Sequence, residues 1–373
     1  MVGSASYLRG EHTGGAEKQI GLLAKHLERR GHDVVIVEPN RDRPDEIIDT
    51  IRIVRAWEKY RGGRGIRLFT YRIPSLKRAL TRISADVYYT RSGSYTTNAV
   101  ITTAKKIGAV AILGLASDRD LYSDSGKVLF ATNNKFTSQL FGKLAYMFFY
   151  APALRKADWV IAQNMAQVSR CEELGLANQL IPSIVGLPAI RSTSVAENTD
   201  VIWVGNIDRE ARRSKGFDQL VTITQRLANV RFEIVGLLNK TVLNRELEVL
   251  GKSKNVRLTG KLSQVDTLAA IARAKLVINT SPSEGFSNVF LEAWSLGKPV
   301  ITLYVNPNGL LREDGLGYCA CGDVGSMIDA ILFFLKHENQ RRQTGERGRA
   351  YIEAIHDPDV VCQRYELLFK KRE

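Results

Sequence analysis

The feature that most limits what this chain can fold into is an alternation of short β-branched runs with amphipathic windows of helical period. It occurs in two successive series. Runs of this kind, each followed by apolar residues three and four apart, give parallel strands joined by crossover helices. In the first series a helix opens at Gly14-Gly15, carries Ile20, Leu22, Leu23, His26 and Leu27, and closes at Gly31. The strand Asp33-Val34-Val35-Ile36-Val37 follows, then strands at 86–89, 110–113 and 159–162. The second series begins at Asp200-Val201-Ile202-Trp203-Val204. It continues with strands at 232–235, 256–258, 276–279 and 299–301, and with helical windows at 217–227, 264–273 and 326–335. One further helix ends the chain.

Two α/β domains are therefore expected, and 373 residues suffice for two cores at roughly 100–200 residues per domain. The Pro-, Ser- and Thr-containing stretch 182–198 has no long periodic run and reads as the linker. The expected division is 1–184 and 185–354, with a C-terminal helix at about 355–373 returning to the first domain. The start departs from the pattern. A doubly wound domain has a buried strand before its first glycine loop, yet only the small and polar stretch 1–8 stands there. Either that strand is very short or the chain starts late, and a truncated or misassigned start is the expectation.

Composition narrows the function classes. The cysteines Cys171, Cys319, Cys321 and Cys362 form no Cys-x-x-Cys pair and no array with nearby histidines. This argues against a disulfide framework or zinc site and for a reducing, cytoplasmic setting with four buried thiols. No charged-then-apolar leader opens the chain, and no run reaches the ~18 apolar residues of a membrane span. The net charge of +14 is concentrated toward the front, where residues 51–100 hold 11 basic and 2 acidic side chains. Such a face either solubilises or attracts anionic lipid, phosphorylated substrate or nucleic acid.

The most informative segment is Ser281-Pro282-Ser283-Glu284-Gly285-Phe286-Ser287-Asn288-Val289-Phe290-Leu291-Glu292-Ala293. It follows a strand, turns at a glycine and enters a helix that Gly297 and Pro299 end. A helix N-terminus near Asn288 offers backbone N–H groups and the positive end of a dipole, which suits a diphosphate. Ligands of open α/β sheets bind beyond the carboxyl ends of such strands. Glu284 in the loop and Glu292 one turn into the helix can accept hydrogen bonds from the two ends of one elongated ligand. By spacing alone they can equally be a capping acid and an exposed helix acid.

Glu284, seven residues, then Glu292, with Gly285-Phe286 after the first and Leu291 before the second, resembles the signature of retaining GT-B glycosyltransferases, family 4 (glycosyltransferase group 1). The continuation Leu291-Glu292-Ala293-Trp294-Ser295-Leu296-Gly297-Lys298-Pro299-Val300-Ile301 follows the same pattern. The resemblance implies two Rossmann-like domains facing a central cleft. It implies that Glu284 contacts donor-sugar hydroxyls, that Glu292 contacts the ribose, and that backbone at Gly285, Phe286, Ser287 and Asn288 lines sugar and phosphates. In Trp203-Val204-Gly205-Asn206-Ile207, with Arg209, Arg212, Arg213 and Lys215-Gly216 beyond, the Lys-Gly element matches the family and makes Lys215 a candidate for the diphosphate. Asn206 stands where the family often has arginine, and Arg209 or Arg213 can take that place. Gly14-Gly15-Ala16-Glu17 resembles the family's front glycine loop. Asp118 or Asp120 stands where relatives place a histidine or acid toward the donor sugar, the bland alternative being a loop or N-cap aspartate.

The expected activity is transfer of a sugar, with retention, from a nucleotide-diphosphate sugar to a hydroxyl of a glycan or polyprenyl-diphosphate-linked acceptor in cell-surface polysaccharide synthesis. No cofactor and no metal are expected, as the resemblance implies. Peripheral contact with an anionic inner membrane face is expected from the basic stretch, and nucleic acid is not. The alternatives are a sugar-nucleotide epimerase of the same fold and a non-catalytic membrane- or nucleic-acid-binding protein built on it. A dehydrogenase fits worst, because no Gly-x-Gly-x-x-Gly follows a strand.

Overall fold

A computed structural model describes residues 1–11, 14–39, 43–58, 68–91, 96–122, 150–186, 196–206, 215–237, 244–284 and 286–370. The chain divides into two compact units, Met1–Ile184 with Pro358–Glu373, and Val185–Asp357. Among the described residues no helix is long and apolar enough to cross a membrane.

The first unit opens with helix α1 (Gly15–Arg29), whose buried face carries Ile20, Leu22, Leu23 and Leu27. Strands β1 (Val35–Glu38), β2 (Glu46–Ile48) and β3 (Ile51–Arg55) follow. Helix α2 (Ile73–Ile83) leads to β4 (Val87–Arg91), and α3 (Thr97–Lys106) to β5 (Val110–Gly114). Then come α4 (Ala151–Lys156), β6 (Trp159–Ala162), α5 (Met165–Glu173) and β7 (Asn178–Leu180). The strands lie in the orders β1-β3-β2 and β4-β5-β6-β7. All pairings are parallel except β2 with β3, an antiparallel edge that the alternation did not announce.

Val2 joins the two sets. It bridges Val37 of β1 and Thr90 of β4 in parallel, its N–H reaches Tyr89 O at 2.9 Å, and Gly3 N–H reaches Val37 O at 3.1 Å. Before the glycine loop, Val2 is the one buried residue in the slot between two longer strands. A near-isolated valine holds that slot because both neighbours supply the backbone partners a strand needs.

The second unit runs β8 (Thr199–Val204), α6 (Phe217–Arg226), β9 (Phe232–Val235), α7 (Asn244–Lys252), β10 (Val256–Gly260), α8 (Gln264–Arg273), β11 (Ala274–Asn279), α9 (Asn288–Ser295), β12 (Val300–Thr302) and β13 (Gly317–Cys319). Helices α10 (Val324–Lys336) and α11 (Glu338–Ile355) complete it. Its strand order is β10-β9-β8-β11-β12-β13, parallel throughout. In order of appearance that is 3-2-1-4-5-6, the Rossmann order. Phe217 and Phe290 are fully buried on its two faces and each contributes about 1.5–3 kcal/mol by leaving water.

The last helix, α12 (Pro358–Leu367), belongs to the first unit. Glu366 accepts from Arg30 Nε and Nη2 at 2.9 and 2.8 Å and lies 2.9 Å from His32 Nε2. Arg30 and His32 pull its carboxyl pKa down to about 2. Tyr365 meets Tyr89 of β4 edge-on at 5.8 Å.

Candidate functional site

In the second unit, β8 and β11 are neighbours, while their successors β9 and β12 lie on opposite sides. The loops leaving β8 and β11 therefore part at the switch point of the sheet, where open α/β folds take up ligands. Thr280, fully buried just past β11, ties these loops together. Its Oγ1 accepts from Trp203 Nε1 at 3.1 Å and donates to Lys215 O at 2.8 Å. Gly216 caps α6 with φ +60°, and a Cβ there would lie 2.0 Å from Thr280 O. Only glycine fits, on conformation and on space alike.

The consequence of that close approach is a contact 69 residues apart in sequence. Lys215 Nζ donates to Glu284 Oε1 at 2.6 Å, with side chains 32% and 17% exposed. A half-buried pair of this kind adds about 1 kcal/mol or less to stability. Its chemical value is different: one cation and one acceptor are held side by side, able to turn to a phosphate and a hydroxyl.

Glu292 lies in α9 and is 6% exposed, so it is not the solvated helix acid that spacing allowed. Its Oε1 accepts from Gln264 Nε2 at 3.0 Å, at the start of α8. Ser287 is the N-cap of α9 and makes no side-chain cap bond. The ring of Phe286 is buried against Trp294 and His356, with centroids 6.3 and 5.5 Å away. Phe286 thus anchors the loop from below and leaves only its backbone to a ligand. Gly285, Arg209 and Arg213 lie outside the described residues.

Gly205 follows β8, and its carbonyl would sit 1.9 Å from a Cβ on Gly236, which has φ +140°. Asn206 Oδ1 accepts from Leu237 N at 2.8 Å. The side chain standing in place of the family's arginine is therefore engaged in closing the β8 and β9 loops.

In the first unit, Gly14 caps α1. Its N–H donates to Glu17 Oε2 at 2.6 Å, one half of a capping box, and Gly15 is the first helical residue. Gln19 holds both backbone groups of Ile184, donating to its carbonyl at 3.0 Å and accepting from its N–H at 2.8 Å. The two aspartates beyond β5 separate cleanly. Asp120 is buried and accepts from the N–H groups of Ala116 and Ser117, so it serves its own loop. Asp118 Oδ1 accepts from Asn164 Nδ2 at 3.0 Å and Gln167 Nε2 at 2.8 Å, and among the described residues no hydrogen bond reaches Oδ2. Asn164 also caps α5 by accepting from Gln167 N, and Gln167 Oε1 accepts from Gln163 N, so both amides are fixed.

Sequence reasoning missed Gln264, Asn164 and Gln167. Each sits at or within one turn of a helix start. The signals were Ser263 as an N-cap before Gln264, and Asn164 with an amide three residues on.

Residues 14–182 match the family model described as glycosyl transferase 4-like domain, and residues 198–337 match glycosyl transferases group 1. A lipopolysaccharide core biosynthesis glycosyltransferase, LpsE of Rhizobium meliloti (strain 1021), is 25% identical over 219 residues, which span 57% of this chain and 64% of that relative. Sucrose-phosphate synthase from Thermosynechococcus elongatus superposes with a TM-score of 0.73 at 16% identity, covering 96% of this chain and 93% of the other. Anabaena HepE in complex with UDP and glucose gives 0.67 at 17% identity, covering 95% and 96%. Two Rossmann-like units, the Lys215–Glu284 contact at a switch point and a family match on each unit lead to one conclusion: the fold is GT-B, and the chain belongs to the group 1 glycosyltransferases.

Proposed function

We propose that the chain is a retaining glycosyltransferase that moves a sugar from a nucleotide-diphosphate-sugar donor to a hydroxyl of a glycan or lipid-linked acceptor in cell-surface polysaccharide synthesis. The observation that carries this reading is the 2.6 Å contact of Lys215 with Glu284 at the switch point. Glu284 accepts from hydroxyls of the donor sugar, and Glu292, steadied by Gln264, accepts from the ribose. Lys215 and the backbone N–H groups at the start of α9 meet the charge of the departing diphosphate, an electrostatic contribution of the oxyanion-hole kind. Asp118 is the first unit's candidate for contact with the sugar. The acceptor hydroxyl attacks from the leaving-group face, so no second carboxylate acts as a glycosidase nucleophile. The reading includes no metal ion, and chelator is expected to leave the rate unchanged.

HepE binds UDP and glucose, and LpsE acts in lipopolysaccharide core synthesis; both favour a nucleotide donor and a glycan acceptor here. The 11 basic residues of 51–100 favour an anionic acceptor or peripheral contact with the inner membrane face. A thermal-shift screen with UDP-, GDP-, ADP- and dTDP-sugars, followed by product analysis with and without acceptor, tests the reading. A new glycosidic linkage that needs acceptor supports it. Release of nucleotide and an altered free sugar without acceptor would make the chain an epimerase. Flotation with anionic and neutral liposomes tests the membrane contact, and equal recovery from both removes it.

A further inference from the structure

Three of the four cysteines are buried, but Cys321 is exposed, against the sequence expectation. The reason is local. Cys319 ends β13, paired with Thr302 of β12, and the chain then turns sharply. Ala320 N–H reaches Thr302 O at 2.9 Å, Gly322 N–H reaches Leu303 O at 2.6 Å, and Asp323 N–H reaches Ala320 O at 3.0 Å. These bonds hold Cys321 at φ +52°, a left-handed conformation that costs a residue with a Cβ about 1–2 kcal/mol. Backbone strain of this sort collects at sites with a task.

The turn brings Cys321 Sγ to 3.9 Å from Cys319 Sγ. Arg312 Nη1 donates to Cys321 Sγ at 3.3 Å, which puts a cation on the sulfur that solvent reaches. Cys319 Sγ donates to Tyr304 O at 3.5 Å and is itself buried. We propose that Cys319 and Cys321 form a thiol–disulfide modification site that reacts with low-molecular-weight disulfides. Cys321 is the entry sulfur and Cys319 resolves it.

In the first step the Cys321 thiolate attacks one sulfur of a small disulfide such as oxidised glutathione. A mixed disulfide forms and one small thiol leaves. In the second step the Cys319 sulfur gives up its proton and attacks Cys321 Sγ, the Cys319–Cys321 bond forms, and the second small thiol leaves. Two protein thiols are oxidised and one small disulfide is reduced to two thiols, so electrons and protons balance. The sulfurs must close from 3.9 Å to a bond of about 2.05 Å. Closure withdraws the S–H from Tyr304 O, in the segment that follows β12.

The test uses the full chain treated with oxidised glutathione, then alkylated in denaturant and mapped by mass spectrometry. The expected product is a peptide containing Cys319 and Cys321 that is two hydrogens lighter and unalkylated, with Cys171 and Cys362 alkylated, and dithiothreitol restores the thiols. In Cys319→Ser the mixed disulfide on Cys321 has no resolving partner. It should accumulate at least about tenfold over the unaltered chain, given the high effective concentration across so short a loop. Cys319 found alkylated after oxidation, or a stable glutathione adduct on Cys321 of the unaltered chain, would overturn the proposal.

Discussion

Replacing Gly216 by alanine should damage the second unit and its candidate site together. The native φ of +60° and ψ of 41° cost alanine about 1–2 kcal/mol. The new Cβ would meet Thr280 O at 2.0 Å, where ordinary contact begins at 3.4 Å, so a buried carbonyl must move by about 1.4 Å. That carbonyl belongs to the residue whose hydroxyl binds Trp203 and Lys215, and two hydrogen bonds at about 1 kcal/mol each are at risk. The expected total is about 2–4 kcal/mol, read as a lower urea midpoint at unchanged m-value. Because Lys215 and Glu284 flank the disturbed contact, donor KM should rise by about tenfold or more. Asparagine tolerates the left-handed conformation but still has a Cβ, so Gly216→Asn should recover about 1 kcal/mol at most. Native stability and KM in Gly216→Ala, or full recovery in Gly216→Asn, would show that the close approach to Thr280 does not hold the site.

Other outcomes follow from single contacts. Gln264→Ala removes a hydrogen bond from buried Glu292 and should lower stability by about 1–3 kcal/mol with weaker donor binding, measured by urea unfolding and calorimetry. Asp118→Asn turns a carboxylate clasped by two amide donors into a third amide. A fall in kcat of about tenfold or more at native circular dichroism is expected, and an unchanged kcat would remove Asp118 from the reaction. Glu366→Gln should destabilise the first unit at neutral pH. Because the folded pKa of Glu366 is depressed, its contribution is whole above the unfolded value near 4.5 and is lost as pH falls through about 2. The gap between variant and parent should therefore close over that interval in acid unfolding.

The fold was legible where the chain had a local period. Strand 232–235 and helix 264–273 lie at the residues the pattern indicates, because in them burial and periodicity coincide. The edge strand β2 was not, since its three residues are half-exposed and its partner is chosen by β3. Val2 could not be read as a strand because its hydrogen bonds come from β1 and β4, far along the chain. The Glu284 and Glu292 spacing was readable as a motif, but the motif did not say where the ring of Phe286 packs. Phe286 turned inward because the loop needs an apolar anchor against Trp294. The partners Gln264, Asn164 and Gln167 are amides, which leave no periodic trace and matter only through contacts 28, 46 and 49 residues away. The Cys319–Cys321 pair escaped a search for Cys-x-x-Cys because it is spaced Cys-x-Cys, and the closeness of its sulfurs depends on a left-handed turn.

The central claim is that Glu284 and Lys215 together form the donor-sugar site. It is tested most directly by steady-state kinetics of Glu284→Gln with the donor that the screen identifies. The account predicts a loss in kcat/KM of about a hundredfold, some 2.7 kcal/mol of transition-state stabilisation, with the thermal midpoint unchanged. A Glu284→Gln protein that transfers sugar at the parent rate and the parent KM would contradict it.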